Sequence, residues 1–212
     1  MANYATSQTV DARTLGGIFA KCILNSDGAG LVAAGTQATA FLDDFGQSIA
    51  SGFPAASPIN RADASFVRGE VAAQTSVICW GCQIQLTELT VPAAAGQITA
   101  APVVAASAEV LAEAQHNISV TLELKGQQYV LGSPIGMPCG HGSNGMHQNG
   151  GPGVGYFRFP DSLPLDLGPT DRFSMIFRAE RGFNVTTPLG GILVYVYLPA
   201  LTAINLSQLS GA

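Results

Sequence analysis

Residues 76–86 read SVICWGCQIQL, and the two cysteines in this stretch, Cys79 and Cys82, stand at the C-x-x-C spacing of thiol redox centres and of half a zinc site. The wider segment Thr75–Leu89 argues for a strand. Its even positions Ile78, Trp80, Cys82, Ile84 and Leu86 are apolar, and Gln83, Gln85 and Thr87 are polar. That is the two-residue period of an extended chain with one face on a core. Residues three apart on a strand point to opposite faces, so the thiols cannot reach one metal or each other unless Gly81 marks a bulge. A redox pair of this spacing opens a helix, whose dipole lowers the thiol pKa, and no helical pattern follows Cys82. Cys82 is therefore expected as a small core residue. Trp80, Ile84 and Leu86 should face the core with it, beside Phe173, Phe177 and Tyr195 or Val194.

Working outward, the same period recurs. Ile118, Val120, Leu122 and Leu124 alternate with polar residues across Asn117–Lys125, and KGQQ after them suits a tight hairpin turn. Phe173, Met175, Phe177 and Ala179 share one face of Phe173–Glu180, while Gly191–Leu198 is β-branched and aromatic, closed by Pro199. Further strands are expected at Ser65–Val71, Gly96–Val104, Gln128–Leu131 and Tyr156–Phe159. One helix fits Ser107–Gln115, with Ser107 as its cap. Residues 1–60 are rich in Ala, Gly, Ser and Asn. They hold one apolar run, Ile18–Leu24, a helical spacing at Phe41, Phe45 and Ile49, and a proline-bearing connector at Ser51–Asn60. The expected fold class is all-β: a jelly-roll sandwich of two four-stranded antiparallel sheets with a partly helical N-terminal extension. The expected organisation is an arm and connector over 1–60, the jelly roll over 61–206 and a tail over 207–212.

Composition narrows the function. Only 11% of the 212 residues are charged, against roughly 25% for a typical soluble domain, so much of the surface is expected to be covered by an assembly. The net charge is −5 with a pI near 5.0, and the nine basic residues are dispersed. Nucleic-acid binding draws on clustered Lys and Arg, so direct nucleic-acid binding is not expected. No apolar run approaches a membrane span, and the first residues show no secretory pattern. Synthesis in a cytoplasm and reduced cysteines are expected.

The second chemical candidate is Met137–Gly155, a glycine-rich stretch with Cys139, His141 and His147. A metal-bearing cupin would need an H-x-H pair with a carboxylate soon after. Here the histidines are six apart and no acid follows until Asp161. The stretch reads as a loop between strands. His116, at the opening of the Asn117 strand, reads as a surface residue. No nucleophile elbow and no phosphate-binding glycine loop is present. No catalytic, cofactor-binding or metal-ligating residue is assigned, no cofactor is expected, and the chain is not expected to be an enzyme.

From Val110 to Leu206 an ordered set of features stands out. HNISVTLELKGQQYVLGSPIGMPCGHG gives a strand, a turn, a Tyr-bearing strand and a glycine-rich loop; YFRFPDSLPLDLGPTDRFSMIFRAE gives a Phe-Pro break and a strand opening on Arg-Phe; GGILVYVYLPALTAI is a closing strand. In this order they resemble the jelly-roll capsid proteins of tailless icosahedral bacteriophages, especially lipid-containing ones. The resemblance implies a structural virion protein, a capsid subunit made in the host cytoplasm and located in the virion. It also implies homo-oligomers (trimer, pentamer or shell) and partnership with other virion proteins and an internal membrane. The absence of a basic tail fits a subunit separated from the genome by another layer. The alternative is a β-sandwich binding module: a phage receptor-binding, spike or decoration protein, or a carbohydrate binder.

Overall fold

A computed structural model describes residues 12–66, 68–72, 75–91, 99–100, 105–136, 157–159 and 165–204. The expected tail at 207–212, the glycine-rich stretch 137–155 and most of the expected strand at 96–104 lie outside them. The first described elements are β1 (Ala12–Asn25), β2 (Leu31–Val32) and β3 (Gln37–Ala40). They are followed by β4 (Thr75–Cys79), β5 (Gly81–Val91), β6 (Thr99–Ala100) and the helix α1 (Ala105–Asn117). The hairpin β7 (Ile118–Leu124) and β8 (Gln127–Gly132) comes next, with β9 (Phe157–Arg158) and β10 (Leu165–Leu167) after it. The last are β11 (Phe173–Ala179), β12 (Phe183–Asn184) and β13 (Gly191–Ile204).

The molecule is mostly β, and its sheets are antiparallel. Strand pairings nest: β1 with β13, β2 with β12, β3 with β11, β4 with β10, β5 with β9, and β7 with β8. In the larger sheet β13 lies between β1 on one side and β4 and β5, end to end, on the other. Beyond β4 and β5 lie β10, β9 and β6. Seven strand segments therefore make a sheet only four strands wide. The second sheet runs β3-β11-β7-β8.

One continuous core holds both sheets together. Ile192, Val194, Val196, Leu198 and Ala200 point inward from β13, and Phe173, Met175, Phe177 and Ala179 from β11. Inward residues at every second position are what a pleated strand between solvent or cover and core requires. The hairpin turn is read correctly from KGQQ. Lys125 and Gly126 adopt φ of 53° and 79°, the left-handed pair that a two-residue hairpin needs and glycine supplies without strain.

Three expectations are corrected. First, no helix forms among the described residues 12–60. Phe41–Ile49 forms bends and turns, and Asp43 explains why: its carboxylate accepts Ala50 N–H, Ser51 N–H and the Ser51 hydroxyl, a local alternative to helical hydrogen bonds. Phe41 takes φ 74° and packs on Phe173 with ring centroids 4.9 Å apart. Nor do residues 12–60 stand apart as an arm, because Ile18, Leu24, Phe53 and Ile59 join the same core as Ile84 and Phe177. Second, the described residues of Ser65–Val71 form bends and turns, with isolated bridges from Glu70 to Arg172 and, just before the span, from Ala64 to Ala20. Arg68 and Gly69 both adopt positive φ, and a Cβ on Gly69 would sit 2.1 Å from the Phe173 carbonyl oxygen. Third, Pro199 does not end β13, which continues to Ile204. A proline cannot donate to a ladder and is tolerated at bulges, and a bulge faces it.

Candidate functional site

That bulge lies in the cysteine motif. Gln83 pairs with Tyr197 and Cys79 with Ala200. Two residues of β13 thus face three residues, 80–82, on the neighbouring strand. One extra residue reverses the alternation. Thr75, Val77 and Cys79 are buried before the bulge, and Cys82, Ile84 and Leu86 after it. Trp80 is therefore not a core residue; it is 36% exposed. Its N–H donates to Pro199 O at 3.2 Å and its carbonyl accepts Phe159 N–H at 2.8 Å. Val194, Phe173 and Phe177 are buried as expected, whereas Tyr195 lies half-buried on the other face of β13, 6.0 Å from the Phe19 ring.

Both thiols consequently face the core, the exception that the strand argument left open at Gly81. Burial pushes the Cys79 thiol up to about 12. The Cys22 thiol is raised too, first by burial and then by the nearby Asp43 charge. A thiol held protonated is neither nucleophile nor ligand. Among the described residues no three His, Cys, Asp or Glu side chains converge as a metal would need. Cys139, His141 and His147 lie outside the described residues. His116 is exposed, in the last turn of α1, so it ends a helix where a strand opening was expected.

The sequence reading missed Glu88. It is 1% exposed. One carboxylate oxygen accepts the Ser107 hydroxyl at 2.5 Å; the other accepts Thr186 N–H and the Thr186 hydroxyl, both at 2.6 Å. Ser107 lies inside the first turn of α1, where its hydroxyl donates to this carboxylate. Glu88 thereby ties β5, α1 and the chain after β12 together. The available signal was an acid at an even, inward-facing position of the strand. Burial of a carboxylate is tolerable only with such donors.

The remaining candidate is the surface. On one side of the sandwich the chain covers its own strand edges. Lys21 N–H donates to Asp63 O at 2.8 Å, Ile23 N–H to Ser51 O at 2.6 Å, and Thr39 N–H to Ala50 O at 2.7 Å. The Lys21–Asp63 ion pair at 3.1 Å reinforces this cover. On the other side β8 pairs with β7 alone among the described strands, and Val130 is 76% exposed. A shallow cleft of about 680 Å³ lies in the covering segment, lined by Phe45, Gly46 and residues 56–61. No helix among the described residues is long and apolar enough to cross a membrane. No family model, no curated protein and no solved structure matches this chain.

Proposed function

We propose that this chain is a structural virion protein, a jelly-roll capsid subunit that self-assembles into an icosahedral shell. The observation that carries the reading is the nested pairing. Leaving out the short β2, β6 and β12, and numbering β4 with β5 as the third strand and β9 with β10 as the sixth, the two sheets run first–eighth–third–sixth and second–seventh–fourth–fifth. That is the order obtained by rolling one long eight-stranded hairpin, the jelly roll of viral coats, lectins and cupins. Fold alone does not fix function, and the support for a coat protein comes from the surface. Charge is sparse, the described thiols are sealed in the core, and large apolar side chains remain exposed on a strand edge. Such a surface suits repeated burial in subunit contacts, whose cores are depleted of charge. In this reading the protein has no catalytic role, is made in the host cytoplasm, resides in the virion with other virion proteins, and is separated from the genome by an internal membrane or another protein layer.

A second reading, a receptor-binding, spike or decoration module, gains support from Trp80, because an exposed indole is a surface on which sugars and side chains stack. Sedimentation and negative-stain microscopy of concentrated protein separate the two. The capsid reading expects rings or shells. A protein that stays monomeric across concentration, salt and pH, while binding a glycan through Trp80, would favour the module.

A further inference from the structure

The second sheet carries apolar side chains at both of its edges. Beside β3 the loop that follows it exposes Leu42, Phe45 and Ile49, the last 89% exposed. This loop returns along the outer edge of β3, where Thr39 N–H reaches Ala50 O, and Phe45 lines the shallow cleft. At the opposite edge β8 and the 3-10 turn Pro134–Gly136 expose Tyr129, Val130 and Ile135. Strand β8 contains no Lys, Glu or Pro, the residues that normally guard a free edge against pairing.

We propose that these two edges are the two halves of one contact: the β8 ridge of one copy seats in the cleft beside β3 of the next copy, head to tail, so that copies close into a ring. The proposal rests on the capsid reading above and names its interface. The two patches differ in build, one a shallow cleft in a loop and the other an exposed strand edge. They lie at opposite edges of one sheet, so a single chain cannot bring them together. A two-fold contact through either would leave the other bare, whereas a heterologous contact covers both, and it closes into a ring when its rotation closes. Charge agrees. Arg61 at the cleft makes no ion pair among the described residues. Glu109 and Glu113 are exposed on α1, and α1 is tied to the ridge by the Ser133 hydroxyl donating to Gln115 O.

The test uses two full-length variants, Phe45→Asp and Val130→Asp, with Ile49→Asp and Ile135→Asp as a second pair should either fail to fold. Sedimentation velocity of each variant alone should show monomer, with the concentration for half-assembly raised roughly thirty-fold or more, as for loss of a central interface anchor. An equimolar mixture of the two should form a dimer that grows no further, because each variant keeps one intact half. Val130→Asp monomeric with Phe45→Asp assembling normally would mean a two-fold β8 contact and overturn the proposal. Both assembling like the parent protein would also overturn it while leaving the capsid reading intact. A parent protein that never assembles would sink the capsid reading itself.

Discussion

The two sides of the sandwich solve the same problem differently. On the β1 and β3 side, residues 41–65 lie along the strand edges and take up their outward N–H groups. On the β8 side nothing among the described residues takes that place. A strand edge is a row of unmet donors and acceptors, and a chain that shields one edge with some twenty-five of its own residues while leaving the other uncharged treats the two unequally. The segment that reads as a detachable arm is the part that seals the molecule. The hairpin that reads most clearly as folded structure supplies the part left open.

The sharpest break of this comparison is removal of β1. Deleting residues 1–25 strips Ile18, Ala20, Cys22, Ile23 and Leu24 from the core and bares one edge of β13 along its full length. Each large aliphatic residue lost forfeits about 1.5–3 kcal/mol of burial, in a domain whose whole stability is on the order of 5–15 kcal/mol. The truncated protein should lack a cooperative thermal transition by circular dichroism. If it melts cooperatively, residues 1–25 are an arm after all. The edge substitution Val130→Asp, by contrast, should leave the melting curve of dilute protein unchanged.

Next in size is Glu88→Gln. The amide cannot accept all three donors that the carboxylate holds, and hydrogen bonds to charged groups are worth about 1.5–3 kcal/mol. A drop of that size in denaturant unfolding is expected, and an unchanged midpoint would show that the clamp contributes nothing.

The smallest effect should come from Trp80→Ala. A core tryptophan would cost about 3–5 kcal/mol on truncation; at an exposed bulge the loss should stay below about 1 kcal/mol. Trp80 is the single tryptophan, so acrylamide quenching of native fluorescence reads its exposure directly. Strong protection from quencher would return it to the core and cancel the bulge.

How much the sequence disclosed follows from where water touches each strand. Strands β7 and β11 were legible because one face alternates with more exposed positions, and β8 followed from the turn residues before it. In β1, Cys22, Ile23 and Leu24 are buried in succession, because residues 51–65 cover its far edge and erase the two-residue period. The strands β2, β10 and β12, of two or three residues each, are too short to show any period. The bulge escaped because Val77, Ile78 and Cys79 are apolar at both parities, so either register fits the letters. As to candidate sites, the cysteine pair does lie on strand, but the bulge turns both thiols to the core where an unbroken alternation puts them on opposite faces. Glu88 and the β8 edge needed the pairing partners to be known.

The most direct test is hydrogen–deuterium exchange followed residue by residue in dilute and in concentrated protein. In an antiparallel strand alternate residues turn their N–H away from the partner, and on β8 these face no other described strand. The account predicts that the amides of Phe19, Lys21 and Ile23 are slow at both concentrations. Within Gln127–Val130 the outward amides should exchange fast when dilute and become protected when concentrated. Fast exchange in β1, or β8 amides that stay fast at concentrations where the protein assembles, would contradict it.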